Sequence, residues 1–178
     1  MAFMNRAAQA AQMWHREWPE LEAEGMALVG QLSEVVHLGA THHATPMLAQ
    51  LGIKTGEFDV LATLRRSGRP YALTPTDLYA ATMVSSGGMT ARIDRLAALG
   101  LVVRQPNPQD RRGTLVSLTE KGLGTVNLMM PQHAANKMRL VSGLSPADRK
   151  TLAELLAKLI CTVDPASPDY IGGPLEPP

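Results

Sequence analysis

The stretch from residue 85 to residue 122, SSGGMTARIDRLAALGLVVRQPNPQDRRGTLVSLTEKG, decides the fold. It opens with a turn rich in Ser and Gly and continues as a helix that stops at Gly100, because glycine commonly ends helices. The pattern then changes to two short strands, residues 101–104 and 114–118, which a turn containing Pro and Asn joins. The stretch therefore predicts a helix followed by a β-hairpin with a basic tip.

Two shorter helical patterns precede this stretch. Thr55 is the predicted cap of the first helix, and the second begins with Thr74 as N-cap and Pro75 as its first residue. The order of helix, short helix, turn, helix and hairpin within residues 55–118 is typical of a winged helix-turn-helix. In such a unit the helix after the turn fits the major groove of duplex DNA, and the hairpin tip reaches the adjacent minor groove, whose negative potential attracts arginine.

Helical periodicity continues on both sides of this unit, so we expect a mainly α fold with a small β-hairpin wing. Further helices are predicted at residues 5–17, 20–44, 119–140 and 145–161. The predicted division has four parts: N-terminal helices at 1–54, the winged helix-turn-helix DNA-binding domain at 55–118, C-terminal helices at 119–162 and a mobile tail at 163–178.

Composition and charge place the chain among globular proteins, since 45% of its residues are hydrophobic and 19% are charged. The net charge of +1 does not by itself indicate a nucleic-acid binder. Evidence for nucleic-acid binding therefore has to come from where the charged residues lie along the chain. The one cysteine, Cys161, cannot form an intrachain disulfide, which fits a reducing compartment. No apolar run reaches the length of a membrane span, and the N-terminal segment lacks a signal-peptide core, so we expect a cytoplasmic protein without membrane contact.

The helix predicted to begin at Ser85 has two different faces. Met89, Ile93 and Leu96 share one face and would anchor the helix to the core. The opposite face is small or polar and consists of Gly87, Thr90, Ala91 and Asp94. The residues of this helix that we predict to contact phosphates or base edges are Ser85, Ser86, Gly87, Thr90, Ala91 and Arg95. The glycine pair 87–88 should weaken the helix start, because each Gly costs ~1 kcal/mol relative to Ala.

The quoted stretch resembles the recognition helix and wing of MarR-type transcriptional regulators. The pattern D-x-R-x-x-x-x-x-L-T carries the resemblance through Asp110, Arg112, Leu118 and Thr119. The resemblance implies a dimer whose interface is formed by the N- and C-terminal helices of both chains. It also implies that Arg112 and Arg111 lie at the wing tip near DNA and that Asp110 stabilises the tip. Taken alone, these tip residues would equally fit a solvated hairpin turn.

A narrower resemblance is to the urate-responsive, PecS-like branch of these regulators. It rests on the Trp-containing segments 13–14 and 18–21 and on residues 57–68, EFDVLATLRRSG. It implies an effector site formed by Trp14, Asp59, Arg92 and Arg104. Trp18 is as available for this role as Trp14. Because arginine pairs with anions and tryptophan offers a flat apolar wall, the expected effector is a small aromatic anion such as urate or a salicylate-like acid.

Other functions would require other residues. A metal- or redox-responsive regulator of the same fold stays open, although no His/Cys/Glu cluster has metal-ligand spacing. So does a DNA-binding protein without an effector. The sequence has no nucleophile–base pairing, phosphate loop or metal triad, so we predict no enzyme activity, no catalytic residue, no metal and no cofactor. A winged-helix module that binds only proteins would carry a neutral wing tip, whereas this tip has Arg111 and Arg112.

The expected protein is therefore a homodimeric regulator, acting as a repressor, on a pseudo-palindromic duplex. Dimer symmetry would place its two recognition helices about one helical turn of DNA apart. The residues leave open whether the N-terminal helix packs on its own chain or on its partner.

Overall fold

A computed structural model of the chain describes residues 5–82, 88–108 and 110–164. The chain forms two compact units, residues 1–136 and 137–178. The helices are α1 (Arg6–Glu17), α2 (Glu24–Gly39), a π-helix (Ala40–Ala44), α3 (Thr45–Ala49), α4 (Thr55–Arg66), α5 (Pro75–Ala81), α6 (Met89–Ala98), α7 (Glu120–Leu140) and α8 (Pro146–Val163). The strands are β1 (Ala72–Leu73), β2 (Val102–Asn107) and β3 (Asp110–Leu118). The predicted mainly α fold with a small wing is confirmed.

Local capping explains where several helices begin. The Oγ1 atom of Thr74 accepts the N–H of Asp77 at the start of α5, with Pro75 in the first helical position as predicted. The prediction for α4 was wrong by one residue, because Thr55 is already helical and Lys54 is the N-cap. Here the carboxylate of Glu57 accepts the Lys54 N–H at 2.8 Å, which satisfies a donor at the helix start.

The sheet has three antiparallel strands in the order β1-β3-β2. The short strand β1 was not predicted, because two residues are too few for an alternating pattern; Ala72 pairs with Ser117 of β3. The hairpin strands extend further than predicted, since the register continues from Val102 opposite Leu118 to Asn107 opposite Asp110. The wing is therefore longer than the sequence pattern indicated.

The core lies where α4, α5 and α6 meet the sheet and the first turns of α7. The fully buried side chains belong to these elements and to α3, and the largest are Leu48, Leu61, Leu64, Leu78, Ile93 and Leu96. We call residues 55–122, from α4 to the start of α7, the winged-helix lobe. The order of its elements matches the predicted winged helix-turn-helix.

The N-terminal helices continue directly into the lobe. Helix α1 packs on α2 of its own chain, where the Cβ of Ala7 comes so close to Gly30 that a Cβ at Gly30 would lie 2.8 Å away. The long predicted helix 20–44 begins at Glu24, and its last turn is the π-helix. The side-chain amide of the buried Asn136 donates to the carbonyl oxygen of His43 at 3.2 Å, which ties this irregular turn to α7.

The second unit contains the end of α7 and helix α8. The predicted cap of α8 is confirmed: the hydroxyl of Ser145 accepts the N–H of Asp148, whose carboxylate in turn accepts the Ser145 N–H. The helix ends at Val163, so the first residue of the predicted tail is helical, and the rest of the tail from residue 165 lies outside the described residues. Across the described ranges, no helix combines the length and apolarity that crossing a membrane requires.

Candidate nucleic-acid interface

Helix α6 has the two faces that its sequence predicts. Met89, Ile93 and Leu96 are buried against the lobe core. Thr90 and Ala91, which we predicted to face DNA, are exposed on the other side. A helix with one anchored face and one small, open face can lie in a major groove without its own side chains holding the backbone away from the bases.

The start of α6 differs from the prediction. The helix begins at Met89, and Gly88 is its N-cap residue with a φ of +93°, a left-handed conformation that glycine adopts without a steric penalty. The expected cost of Gly88 inside the helix was therefore wrong, because this glycine lies before the first helical turn. The predicted DNA contacts Ser85, Ser86 and Gly87 lie outside the described residues.

The wing tip is an irregular hairpin. The regular register ends at Pro106 opposite Thr114, and the next pair is Asn107 with Asp110, so residues 111–113 are extra residues in β3. A Cβ at Gly113 would lie 3.2 Å from Oδ2 of Asp110, so the carboxylate of Asp110 lies beside Gly113. The backbone thus places residues 111 and 112 in this bulge; their side chains lie outside the described set.

A buried carboxylate holds the recognition helix from one side. Glu57 of α4 is only 3% exposed, and its Oε1 atom lies 2.8 Å from Nε of Arg95 on α6. The same guanidinium donates through Nη2 to the carbonyl oxygen of Gly52 at 2.7 Å. Arg95, predicted to contact a phosphate, therefore has two partners inside its own chain.

The C-terminal end of α6 is joined to the start of α7. The hydroxyl of Thr119 donates to the carbonyl oxygen of Gly100 at 2.7 Å, and Nζ of Lys121 donates to that of Leu99 at 2.8 Å. Gly122 packs directly on Leu101, because a Cβ at this glycine would lie 1.9 Å from the Leu101 carbonyl oxygen. The sequence L-T-E-K-G is thus a junction between the recognition helix, the wing and α7.

An ion pair links α6 to the wing. Arg104 of β2 forms a salt bridge through Nη1 with the carboxylate of Asp94, and both side chains are partly exposed. The two residues were predicted for different roles, Arg104 in the effector site and Asp94 on the DNA-facing side of the helix. Because the two side chains are paired, a change at Arg104 alters the electrostatic surroundings of Asp94 on α6.

The predicted effector residues lie on four different elements. Arg92 of α6 lies against the first turn of α4, where a Cβ at Gly56 would be 3.0 Å from its Nε atom. Asp59 lies one turn further along α4. Trp14 is on α1, and like Trp18 it is exposed. A cavity of about 390 Å³ lies between α1 and the start of α2, and it is lined by neither tryptophan nor the three other predicted residues.

Known proteins resemble this chain in sequence over most of its length. A model of the MarR family matches residues 51–113, which span the lobe up to the wing tip. The HTH-type transcriptional regulator PecS of Dickeya dadantii is 33% identical over 159 residues, which are 89% of this chain and 95% of PecS. The chain belongs to the MarR family. The resemblance drawn from the wing pattern is confirmed, and the match to PecS supports the narrower one.

Solved structures of MarR-family regulators have the same fold. A mutant of Escherichia coli MarR in complex with operator DNA is 28% identical, with a TM-score of 0.65 over 83% of this chain and 98% of that one. BpsR of Bordetella bronchiseptica, whose DNA binding 6-hydroxynicotinic acid regulates, is 27% identical, with a TM-score of 0.63 over 80% of this chain and 94% of that one. The chain is thus similar to DNA-binding regulators, some of which respond to small ligands.

Sequence reasoning missed the internal ties of this MarR-family lobe. Glu57 is the third residue after Lys54, a spacing at which an acidic side chain caps a helix start, and this signal could have drawn attention to it. No comparable local signal marks its contact with Arg95, which lies 38 residues further on. The close approach of Gly122 to Leu101 likewise needs the folded chain.

Proposed function

We propose that this MarR-family protein is a homodimeric repressor that binds a pseudo-palindromic duplex and loses affinity for it when a small aromatic anion binds. The observation that carries the DNA-binding part is α6, whose apolar face is buried while Thr90 and Ala91 stay open beside the wing. In this proposal α6 enters the major groove, with Ser85, Ser86, Gly87, Thr90 and Ala91 near the DNA. The wing arginines, Arg111 and Arg112, enter the adjacent minor groove, and Asp110 stabilises the tip.

The exposed apolar side chains of α2 and α8 support a homodimer. On α2 they are Met26, Leu28, Val29, Leu32, Val35, Val36 and Leu38, and on α8 they are Leu152, Leu155, Leu159, Ile160 and Val163. Apolar stripes of this extent are rare on monomers and mark association surfaces. We therefore assign residues 1–54 and 119–162 to dimerisation and residues 55–118 to DNA binding. A cytoplasmic location is part of this proposal, because the proposed repressor acts on chromosomal DNA.

The proposed effector site contains two cations that already touch the recognition helix or belong to it. Arg92 lies between α6 and the first turn of α4, and Arg104 is paired with Asp94. An anionic ligand on Arg104 would compete with Asp94 for the guanidinium and so loosen the link between wing and helix. Asp59 would accept a ring N–H of the ligand, and Trp14 or Trp18 would supply the apolar wall.

A mobility-shift titration tests this proposal. The purified protein is titrated against the intergenic DNA upstream of its own gene, with and without urate and salicylate. We expect tight binding that at least one of the two compounds weakens, and Arg92→Ala and Arg104→Ala variants whose DNA binding is insensitive to it. Tight binding that neither compound changes would support DNA binding and contradict the proposed effector site. No binding at low salt, where phosphate contacts are strongest, would contradict DNA binding itself.

A further inference from the structure

The guanidinium of Arg95 faces the protein at two positions. Its Nε atom lies 2.8 Å from the carboxylate of Glu57, and its Nη2 atom donates to the carbonyl oxygen of Gly52 at 2.7 Å. Gly52 lies just before α4, and Glu57 is in its first turn. The side chain keeps 48% of its surface exposed, so exposure alone does not distinguish a phosphate contact from an internal tie.

The burial of Glu57 favours an internal contact of Arg95 over a contact with a DNA phosphate. Glu57 is 3% exposed, and both of its oxygens are occupied, Oε2 by the N–H of Lys54 and Oε1 by Arg95. A buried carboxylate is retained when a cation and hydrogen bonds compensate for its lost hydration, and Arg95 supplies that cation. Because Glu57 is enclosed, it cannot take part in any contact with DNA.

The tie is placed where it controls the exposed face of α6. Thr90 and Ala91 precede Arg95 by five and four residues, which is about 6–8 Å along the helix axis. Met89, Ile93 and Leu96 fix the buried face by apolar contact, which has no direction, whereas an ion pair with a helix start sets an angle. Releasing it would let α6 rotate about its apolar anchor and move Thr90 and Ala91 relative to the groove.

We propose that Arg95 and Glu57 are a positioning pair: they set the angle of the recognition helix against α4, and Arg95 acts on operator binding through this placement and not through a phosphate. The proposal rests on DNA binding by α6 as described under Proposed function. It replaces the role that the sequence suggested for Arg95.

Salt-dependent DNA binding of four variants tests the pair. The variants are Arg95→Met, Glu57→Gln, the double variant and Arg112→Met. The double variant removes both charges, so it leaves no unpaired charge in the protein if a single variant folds poorly. Affinity for operator and for unrelated duplex is measured at several salt concentrations, and thermal unfolding of each variant is followed by circular dichroism.

We expect Glu57→Gln, Arg95→Met and the double variant each to weaken operator binding by about tenfold, comparable to one mismatched base pair. Their slope of log affinity against log salt should equal that of the wild type. In the double variant, whose net charge equals that of the wild type, the affinity for unrelated duplex should not change. The double variant should lose no more than either single variant, because the two residues form one tie. Arg112→Met should instead lower the slope, by ~0.9 for each lost phosphate contact.

The direction of the change in operator affinity caused by Glu57→Gln tests the positioning role most sharply. Removing a negative charge strengthens DNA binding by general electrostatics, and Glu34→Gln, which removes a carboxylate paired with Arg6 on α1, is the matched control for this effect. A Glu57→Gln protein that binds operator as well as this control, or an Arg95→Met protein with a lowered slope, would overturn the positioning role. Wild-type protein that binds no duplex at low salt would instead contradict DNA binding by α6.

Discussion

Large apolar side chains are buried in the winged-helix lobe, whereas many of those on helices α2 and α8 are exposed. In the lobe, Leu61, Leu78 and Leu96 are completely buried by elements of the same chain. On α2, Val29 and Val36 are exposed, and Val36 keeps 71% of its surface in contact with solvent. Since burying one such side chain is worth about 1.5–3 kcal/mol, the lobe already has this stabilisation within one chain, whereas α2 has not.

This difference separates two kinds of function. The lobe is held by contacts that a single chain completes, including the Arg95–Glu57 tie and the junction at Gly122. The apolar faces of α2 and α8, each considered by itself, are incomplete until something covers them. We therefore expect substitutions in the lobe to change folding or DNA recognition and substitutions on α2 to change association.

The largest effect is expected at Gly122. An alanine there would place its Cβ 1.9 Å from a backbone oxygen of Leu101, so the start of α7 has to move away from the lobe. We expect Gly122→Ala to lower the free energy of unfolding by about 3 kcal/mol. Urea denaturation at fixed protein concentration measures it. Gly124→Ala, two residues further along the same helix and facing open space, is the control and should be neutral or stabilise by up to ~1 kcal/mol. Equal midpoints for the two variants would contradict the junction.

The next effect concerns the exposed apolar face of α2. Replacing both Val29 and Val36 by lysine puts two charges on the exposed face of α2. We expect the dimer dissociation constant to rise by about 100-fold, because unpaired charges buried in an interface are strongly destabilising. Analytical ultracentrifugation measures this rise, and circular dichroism should show a lobe that stays folded. The variant with isoleucine at both positions is the control; two lysines without effect would place the interface elsewhere.

A smaller effect is expected inside the lobe. Thr63 is buried on α4, and its Oγ1 atom has no hydrogen-bond partner among the described residues. Thr63→Val keeps the shape of the side chain and removes the unsatisfied hydroxyl. We expect the unfolding free energy to rise by about 1 kcal/mol without a change in operator affinity. A loss of stability on this substitution would show that the hydroxyl has a partner in the folded protein.

The smallest effect is a pH dependence in the second unit. Hydrogen bonds from the Ser145 hydroxyl and backbone N–H lower the pKa of the Asp148 carboxyl below its ordinary value of 3.8. A carboxyl with a lowered pKa in the folded state stabilises fully above its unfolded pKa, and this contribution is lost as the pH falls through the folded pKa. The difference in urea midpoint between wild type and Asp148→Asn should therefore be constant from pH 7 to about pH 5 and shrink as the pH falls below the ordinary value of 3.8. A difference that stays the same below pH 3.8 as above it would contradict the capping role.

The sequence by itself determined the long helices, the hairpin and their order, because the signals are local. Thr74 and Pro75 start α5 through contacts within one turn, and Met89, Ile93 and Leu96 repeat at helical spacing whatever surrounds them. The wing pattern around Asp110 carried the family, which the match to PecS then showed.

The tertiary structure alone decided how these elements are held together. Glu57 meets Arg95, Asp94 meets Arg104, and Gly122 meets Leu101 only after residues from separate elements have been brought together. One-dimensional periodicity reports which face of a helix is buried and not what it meets there. The same limit explains why the contact of Arg95 with Glu57 was not predicted: a cation on a helix flank carries no local sign of the carboxylate that the fold places beside it.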